Sequence, residues 1–368
     1  MHIPWRPTGT AIIAAIIAVT AVLTDYPQAT PVASAASDMS RPTSAPTRLS
    51  AASAAASVAF WTPGRMAAAR PMENERSQRK PRATDSKVMR RQPHSIAGVD
   101  VPDDQEGRVV KAAQNQPAAE YPYPFGRRRV EDQLRRVGPY RTVGRIFFRR
   151  GGGSFSCSAA SVASGPRQVV FTAGHCLNDG LGKGSAHWST DVVFVPARKP
   201  GKQKNPFGIF PAKELWAPEG WTLKMLDAFD MGAFNVGKNA KGQRLQKVVG
   251  ALGFAYNEGR VQHWDIFGYP AVAPFKGNRL ITCASAFSVM DDIPDGEGPD
   301  TTGVGCDMTD GSSGGPWVLR LRRGNLLNGI TTYGYEAQPA ALFGPYFDGT
   351  ANNLRCAAAT GNENAMKC

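Results

Sequence analysis

From about residue 140 the chain reads as a succession of short apolar runs broken by Gly, Pro and Asn, and this pattern restricts the fold more than any other feature. The runs are 141–148, 157–162, 168–173, 191–197, 230–236, 264–270, 279–287, 316–321 and 327–335, rich in Val, Ile, Phe and Thr. About ten short strands with no amphipathic helices between them predict an antiparallel sandwich or barrel. The 39 glycines and 28 prolines agree, since they favour turns and exclude a coiled coil or helical bundle as the main architecture. Hydrophobic residues at 42% and charged residues at 20% are an ordinary globular balance, and about 230 residues are ample for a core.

The N-terminal part reads differently. Arg6 precedes the uncharged run AIIAAIIAVTAVL at 11–23. Thirteen residues fall short of the about 20 that a helix needs to span a hydrocarbon core, but suit the apolar region of a secretory signal peptide. Ala33-Ser34-Ala35 offers small side chains at the positions a signal peptidase reads, so residues 1–35 are expected to be a signal peptide cleaved after Ala35. The alternative is an uncleaved membrane anchor. Residues 36–139 are rich in Ala, Ser, Pro and Arg, with few aromatics, and predict a largely disordered pro-segment or linker. Arg90-Arg91, Arg127-Arg128-Arg129 and Arg135-Arg136 are candidate processing points, or simply solvated charge. Residues 140–368 are the expected folded unit.

Five histidines occur, and His2 and His94 lie in the N-terminal part. His175 stands in TAGHC (172–176), at the end of an apolar strand, with small neighbours that leave the ring open to a cleft. Ser313 stands in DGSSGGPW (310–317), where glycines allow a sharp turn and let backbone N–H groups converge on a developing oxyanion. Two acids, Asp227 and Asp230, lie between them in LDAFDMGAFNV. Asp230 opens an apolar strand, where a buried carboxylate can accept an imidazole N–H, and is the favoured partner of His175.

The order His175, Asp230, Ser313, with spacings of 55 and 83 residues, together with TAGHC and GSSGGP, resembles the chymotrypsin/trypsin-like serine peptidases. YRTVGRIFF, WDIFGYP and CDMTDGSSGGPW look like a secreted bacterial branch related to glutamyl endopeptidases. The resemblance covers roughly residues 140–350. It implies an all-β fold of two perpendicular six-stranded antiparallel barrels, with His175 and Asp230 from the first and Ser313 from the second. It implies an endopeptidase acting through a Ser-His-Asp triad and an acyl-enzyme, with the amides of Gly311 and Ser313 as oxyanion hole. It also implies a secreted monomer whose substrate is a polypeptide, with no cofactor.

The six cysteines all lie in the folded part. Six allow 15 pairings. The resemblance implies Cys157–Cys176, clamping the histidine turn. Cys283–Cys306 in the second barrel and Cys356–Cys368 at the C-terminus are the further expected pairs, with the pairing of these four left open. No CxxC or HExxH spacing suggests a metal.

Asp307 lies six residues before Ser313, where trypsin-like enzymes carry the pocket carboxylate that selects Arg or Lys. The surroundings depart from trypsin: Thr309 stands where a cysteine is usual, and Cys306 lies upstream instead. Asp307 is therefore read either as a pocket base or as a hydrogen-bonded structural residue. The strand Ile330–Gly334 lacks the histidine often used by glutamyl endopeptidases, so Glu specificity loses support. Thr332, Tyr333 and Gly334 are the expected main-chain edge for an extended substrate. Ser312 replaces the aspartate that receives a new N-terminus in trypsin-like zymogens, so activation is expected to work by uncovering the cleft.

The net charge of +13 invites a nucleic-acid or envelope-binding reading. More than half of it lies before residue 140, and no zinc-finger, RNA-binding or helix-turn-helix pattern is present. Neither nucleic-acid binding nor stable membrane association is expected. An inactive peptidase homologue used as a binding protein is the other alternative.

Overall fold

The structure is a computed structural model, and it describes residues 38–46, 48–72, 92–99, 120–165, 168–199, 205–291 and 297–368. The expected signal peptide and its cleavage point lie outside these residues.

Six strands build the first barrel: β1 (Val143–Arg150), β2 (Gly153–Val162), β3 (Gln168–Thr172), β4 (Thr190–Pro196), β5 (Phe210–Pro218) and β6 (Gly232–Val236). They pair antiparallel in the order β5-β6-β3-β2-β1-β4, and β4 returns to β5, which closes the sheet on itself. Ile146, Phe148, Val170, Phe194 and Phe234 fill the interior, and Phe171 faces outward against Phe254 and Phe347.

The second barrel comprises β7 (His263–Gly268), β8 (Ile281–Asp291), β9 (Thr301–Gly305), β10 (Pro316–Leu319), β11 (Leu326–Ile330), β12 (Tyr333–Tyr335) and β13 (Gln338–Gly344). β11 and β12 are two halves of one extended run. The first half pairs with β10 and the second with β13. Between them Thr332 N donates to Phe343 O at 2.9 Å, so the ladder continues across the gap. With β13 on β9, β9 on β8, β8 on β7 and β7 on β10, six segments come full circle. The expected all-β, double-barrel fold is the one observed. Its interior holds Trp264, Ile266, Trp317 and Leu342 around the Cys283–Cys306 bridge.

The structure adds elements that the strand pattern did not mark. The helix Gly349–Thr360 starts on Asp348, whose carboxylate accepts from Thr350 N at 2.8 Å, and ends on Gly361 at φ +76°. It lays Ala351, Leu354 and Ala358 against the first barrel. Cys356 on this helix is bridged to Cys368, and Cys157 to Cys176.

The expectation of a largely disordered pro-segment does not extend to residues 38–72. Pro42–Ser44 pairs with the end of β5, and Arg70–Pro71 lies parallel to β2. Between them the helices Ala51–Phe60 and Pro63–Ala68 are capped by Ser50 and Thr62. Trp61 is the anchor. It is buried against Phe147 with ring centroids 5.5 Å apart, and its Nε1 donates to Asp191 O at 2.6 Å. Phe147 points outward from β1, opposite in sense to Ile146 and Phe148, so the barrel presents an apolar outer face that this segment covers. One tryptophan at the C-terminal cap of a short Ala-rich helix, with Met66 and Ala69 beside it, supplies the burial that the segment's composition concealed.

Candidate active site

Strand β3 delivers the chain to a tight turn, Gly174–Cys176, that carries His175. Gly174 has no room for a side chain: a Cβ there would lie 2.9 Å from the Trp221 ring and 3.0 Å from Asp230 Oδ1. Asp230, at the mouth of β6, is fully buried. One of its oxygens, Oδ2, lies 2.7 Å from His175 Nδ1, and the other accepts from the His175 backbone N–H at 2.7 Å. A single carboxylate thus orients both the ring and the main chain behind it. With Nδ1–H donating to the carboxylate, the acceptor lone pair resides on Nε2. That atom is buried and has no hydrogen-bond partner among the described residues. Of the two acids in this stretch, Asp230 is the one brought to His175. Asp227 sits in the adjoining turn Asp227–Phe229.

Three further groups hold the turn. Arg150, from the end of β1, donates from Nη1 to His175 O at 2.8 Å and from Nη2 to Ser189 Oγ at 2.7 Å. Ser189 Oγ in turn donates to Cys176 O at 2.9 Å. Burial lowers the Arg150 guanidinium to about 10, and Asp179 and Asp230 work against that shift, so it stays charged at neutral pH. Trp221 meets the His175 ring edge to face and donates to Asn178 O at 2.9 Å. Nothing in the sequence pattern singled out Arg150 or Trp221.

The Ser313 turn comes from the second barrel and is seated on the first. Ser312 N donates to Thr309 O at 3.1 Å and Gly315 N to Ser312 O at 2.8 Å, which folds the chain sharply. Gly311 and Gly314 take φ of +91° and +77°, the left-handed region that favours glycine. Gly314 lies so close to the first barrel that a Cβ would fall 2.0 Å from Thr172 Oγ1 and 2.8 Å from Ala173 N. Ser158 is the joint. Its N–H donates to Ser313 O at 2.8 Å, and its Oγ donates to Gly311 O at 2.8 Å and accepts from Tyr269 N at 2.9 Å. Its own carbonyl accepts from Thr172 Oγ1 at 2.8 Å. Ser158 follows Cys157, whose bridge to Cys176 adjoins His175. The serine turn and the histidine turn are therefore both anchored at residues 157–158. A buried serine inside the CSAASV strand was the available signal.

The remaining candidates lie on the second barrel. Thr332 and Tyr333 are buried, and Tyr333 stacks on Phe343 with ring centroids 5.2 Å apart. The Tyr333 hydroxyl donates to Asp291 Oδ2 at 2.8 Å and lies 2.6 Å from Thr301 Oγ1. Burial, with Asp291 beside it, pushes the Tyr333 phenol well above its ordinary range. Gly334 follows in β12 and is half-buried. Asp307 is half-buried and paired with Arg127. Ser312 is buried, with Gly268 beside it: a Cβ on Gly268 would lie 2.9 Å from Ser312 Cβ. Cys157, His175 and Cys176 bring ligand atoms within 4.8 Å of one another. The two sulfurs are joined and Nδ1 is taken by Asp230, so the trio is not a metal centre. Among the described residues no helix is long and apolar enough to cross a membrane.

The sequence matches no protein-family model, and no curated protein matches it. Solved structures do match. A thermostable serine protease, AL20, from an extremophilic microorganism is 36% identical, with a TM-score of 0.54, over 60% of this chain and 98% of that one. The protease Anisep from Arthrobacter nicotinovorans is 33% identical, with a TM-score of 0.53, over 60% of this chain and 95% of that one. A Glu endopeptidase is 18% identical with a TM-score of 0.45, over 61% of this chain and 91% of that one.

Proposed function

Because the chain belongs to the chymotrypsin-like serine proteases, we propose that it is a secreted serine endopeptidase that cleaves peptide bonds through Ser313, His175 and Asp230. The observation that carries this reading is the double hydrogen bond of His175 to the buried Asp230, beside the turn that seats Ser313. Ser313 Oγ attacks the scissile carbonyl while His175 Nε2 takes its proton. Asp230 keeps the tautomer and stabilises the imidazolium. The amides of Gly311 and Ser313 hold the oxyanion, where each donor is worth about 3–4 kcal/mol. His175 then protonates the leaving amine, and water repeats the sequence on the acyl-enzyme. Thr332, Tyr333 and Gly334 offer the edge along which an extended substrate adds as a strand, and Asp307 supplies the polar group at the pocket base.

In the same reading residues 1–35 direct export and are removed, residues 36–139 form a pro-segment or linker, and the product is a monomer in the extracellular medium, with no cofactor. N-terminal sequencing of the exported protein tests this part, and retention of residues 1–23 would sink it.

Ser313→Ala tests the chemistry. With the fold intact, kcat should fall by about 10⁶, and labelling by an organophosphonate should disappear. Undiminished hydrolysis by that variant would overturn the assignment of Ser313.

A further inference from the structure

Two sequence features take no part in the chemistry above: the tribasic run Arg127-Arg128-Arg129 and the charge of Asp307. The structure joins them. Phe125–Arg129 lies as an antiparallel strand along β8, with Arg127 opposite Cys283 and Arg129 opposite Ile281. Cys283 is bridged to Cys306, the residue before Asp307, so this register brings Arg127 to the carboxylate. Arg127 Nη1 lies 2.5 Å from Asp307 Oδ2, and its guanidinium carbon lies 5.4 Å from the centroid of the Phe275 ring. Of the other two arginines, Arg129 reaches Asp132 at 3.6 Å.

The segment before the strand is seated closely enough to fix this contact. Tyr123 is buried in a cluster with Tyr333, Tyr335 and Phe343. A Cβ on Gly305 would lie 2.6 Å from Tyr123 O and 2.9 Å from Pro124 O, so a glycine at 305 is what admits the segment. Ala340 N donates to Tyr121 Oη at 3.4 Å. Arg127 is thus presented by a paired strand with a buried anchor rather than by a free tail.

We propose that Arg127 is a specificity-determining residue: by holding Asp307 in an ion pair it makes the pocket select an uncharged side chain over Arg or Lys on the acyl side of the scissile bond. This rests on Ser313 as nucleophile and Asp307 as the pocket base. A substrate guanidinium or ammonium reaching Asp307 would find one oxygen taken and a second cation in contact, and like charges brought together oppose binding. The other oxygen, Oδ1, is buried with no hydrogen-bond partner among the described residues, and it suits a neutral donor. The same acid that selects basic residues when free is, in this chain, answered from within.

The test compares kcat/KM on peptides identical except for Arg, Lys, Leu or Gln at the cleavage position. The proteins are the exported wild type, Arg127→Ala, Arg127→Gln, Asp307→Asn and the Arg127→Ala/Asp307→Asn double variant. Active sites are counted by organophosphonate labelling, so a poorly folding variant is still read per active molecule, and intact mass establishes whether residue 127 is retained. The wild type should prefer Leu or Gln. Arg127→Ala and Arg127→Gln should raise the Arg/Leu ratio by about tenfold or more, and the double variant should lose that gain. A ratio unchanged in both Arg127 variants, or a gain that persists without Asp307, overturns the proposal. If maturation sheds Arg127, a product that accepts Arg and Lys supports it and one that still refuses them overturns it. Equal hydrolysis of every peptide by wild type and Ser313→Ala is a different failure: the peptidase reading falls, and this proposal with it.

Discussion

The two turns that meet at residues 157–158 are built by opposite means. The histidine turn is held by side chains: the Asp230 carboxylate, the Arg150 guanidinium, the Ser189 hydroxyl, the Trp221 indole and the Cys176 sulfur. The serine turn is held chiefly by main chain and by the absence of side chains, with the Ser158 hydroxyl on Gly311 O as the exception. Gly311 and Gly314 adopt positive φ, Gly314 N donates to Thr331 O at 2.7 Å, and Ser313 O accepts from Ser158 N. The difference follows from what each must present. A base needs one ring in one tautomer, which a directed acceptor fixes. A nucleophile turn must aim backbone N–H groups at a developing charge, and only the chain path can do that. Substitutions on the histidine side should therefore weaken catalysis with little change in stability, and added atoms on the serine side should disturb both.

The largest effect expected from this contrast is at Asp230. Asp230→Asn keeps the size of the side chain but offers an N–H₂ donor where His175 Nδ1–H needs an acceptor, which favours the wrong tautomer. A fall in kcat of about 10⁴ is expected, with KM and the melting temperature close to wild type. A loss of less than about tenfold would mean that Asp230 only supports the fold. Next is Gly314→Ala on the other turn. Its methyl would meet Thr172 Oγ1 and Ser158 O, at 2.0 and 2.4 Å, in a left-handed conformation. Overpacking and strain together cost about 3 kcal/mol, which lowers Tm by roughly 6–12 °C. Gly242→Ala is the control, because Gly242 shares the positive φ of +74° but has nothing within 4 Å of its Cβ position. It should lose only the backbone part, about 1–2 kcal/mol. Equal losses at the two glycines would show that contact with the first barrel is not what Gly314 serves.

The sequence carried the contrast unevenly. His175 and Ser313 were legible because each sits in a composition with few other uses: a histidine among small residues at a strand end, and a serine among glycines. Asp230 was legible because a carboxylate opening an apolar strand needs a partner. The barrel strands showed in their β-branched and aromatic runs, but Phe210–Pro218 was missed, since FPAKELWAP contains prolines and charges that read as loop. The helix Gly349–Thr360 was missed because its Ala-rich face buries small residues and gives little amphipathic contrast. Arg150 was not legible at all, and the parts that Ser158 and Arg127 play were not legible either. Their roles depend on which carbonyl or carboxylate lies opposite after folding, and in the sequence an arginine at a strand end looks like any solvated charge.

Arg150 supplies the smallest and most discriminating effect. It touches no reacting atom in the proposed chemistry. It acts through the His175 carbonyl and Ser189, so it is a positioning residue. Arg150→Gln removes the two-pronged donor and leaves His175 O and Ser189 Oγ short of a partner in a half-buried place. The turn remains tied by Cys157–Cys176, so the fold should survive. Misplacing the ring by a fraction of an ångström affects the proton transfer and not the substrate contacts, so kcat should fall about tenfold with KM nearly unchanged. Arg150→Lys keeps the charge but only one direction of donation, and should restore part of the loss. A purely structural role would instead lower Tm in both variants and leave the rate per labelled active site untouched. That outcome would move Arg150 from the histidine side of the comparison into the general packing of the first barrel.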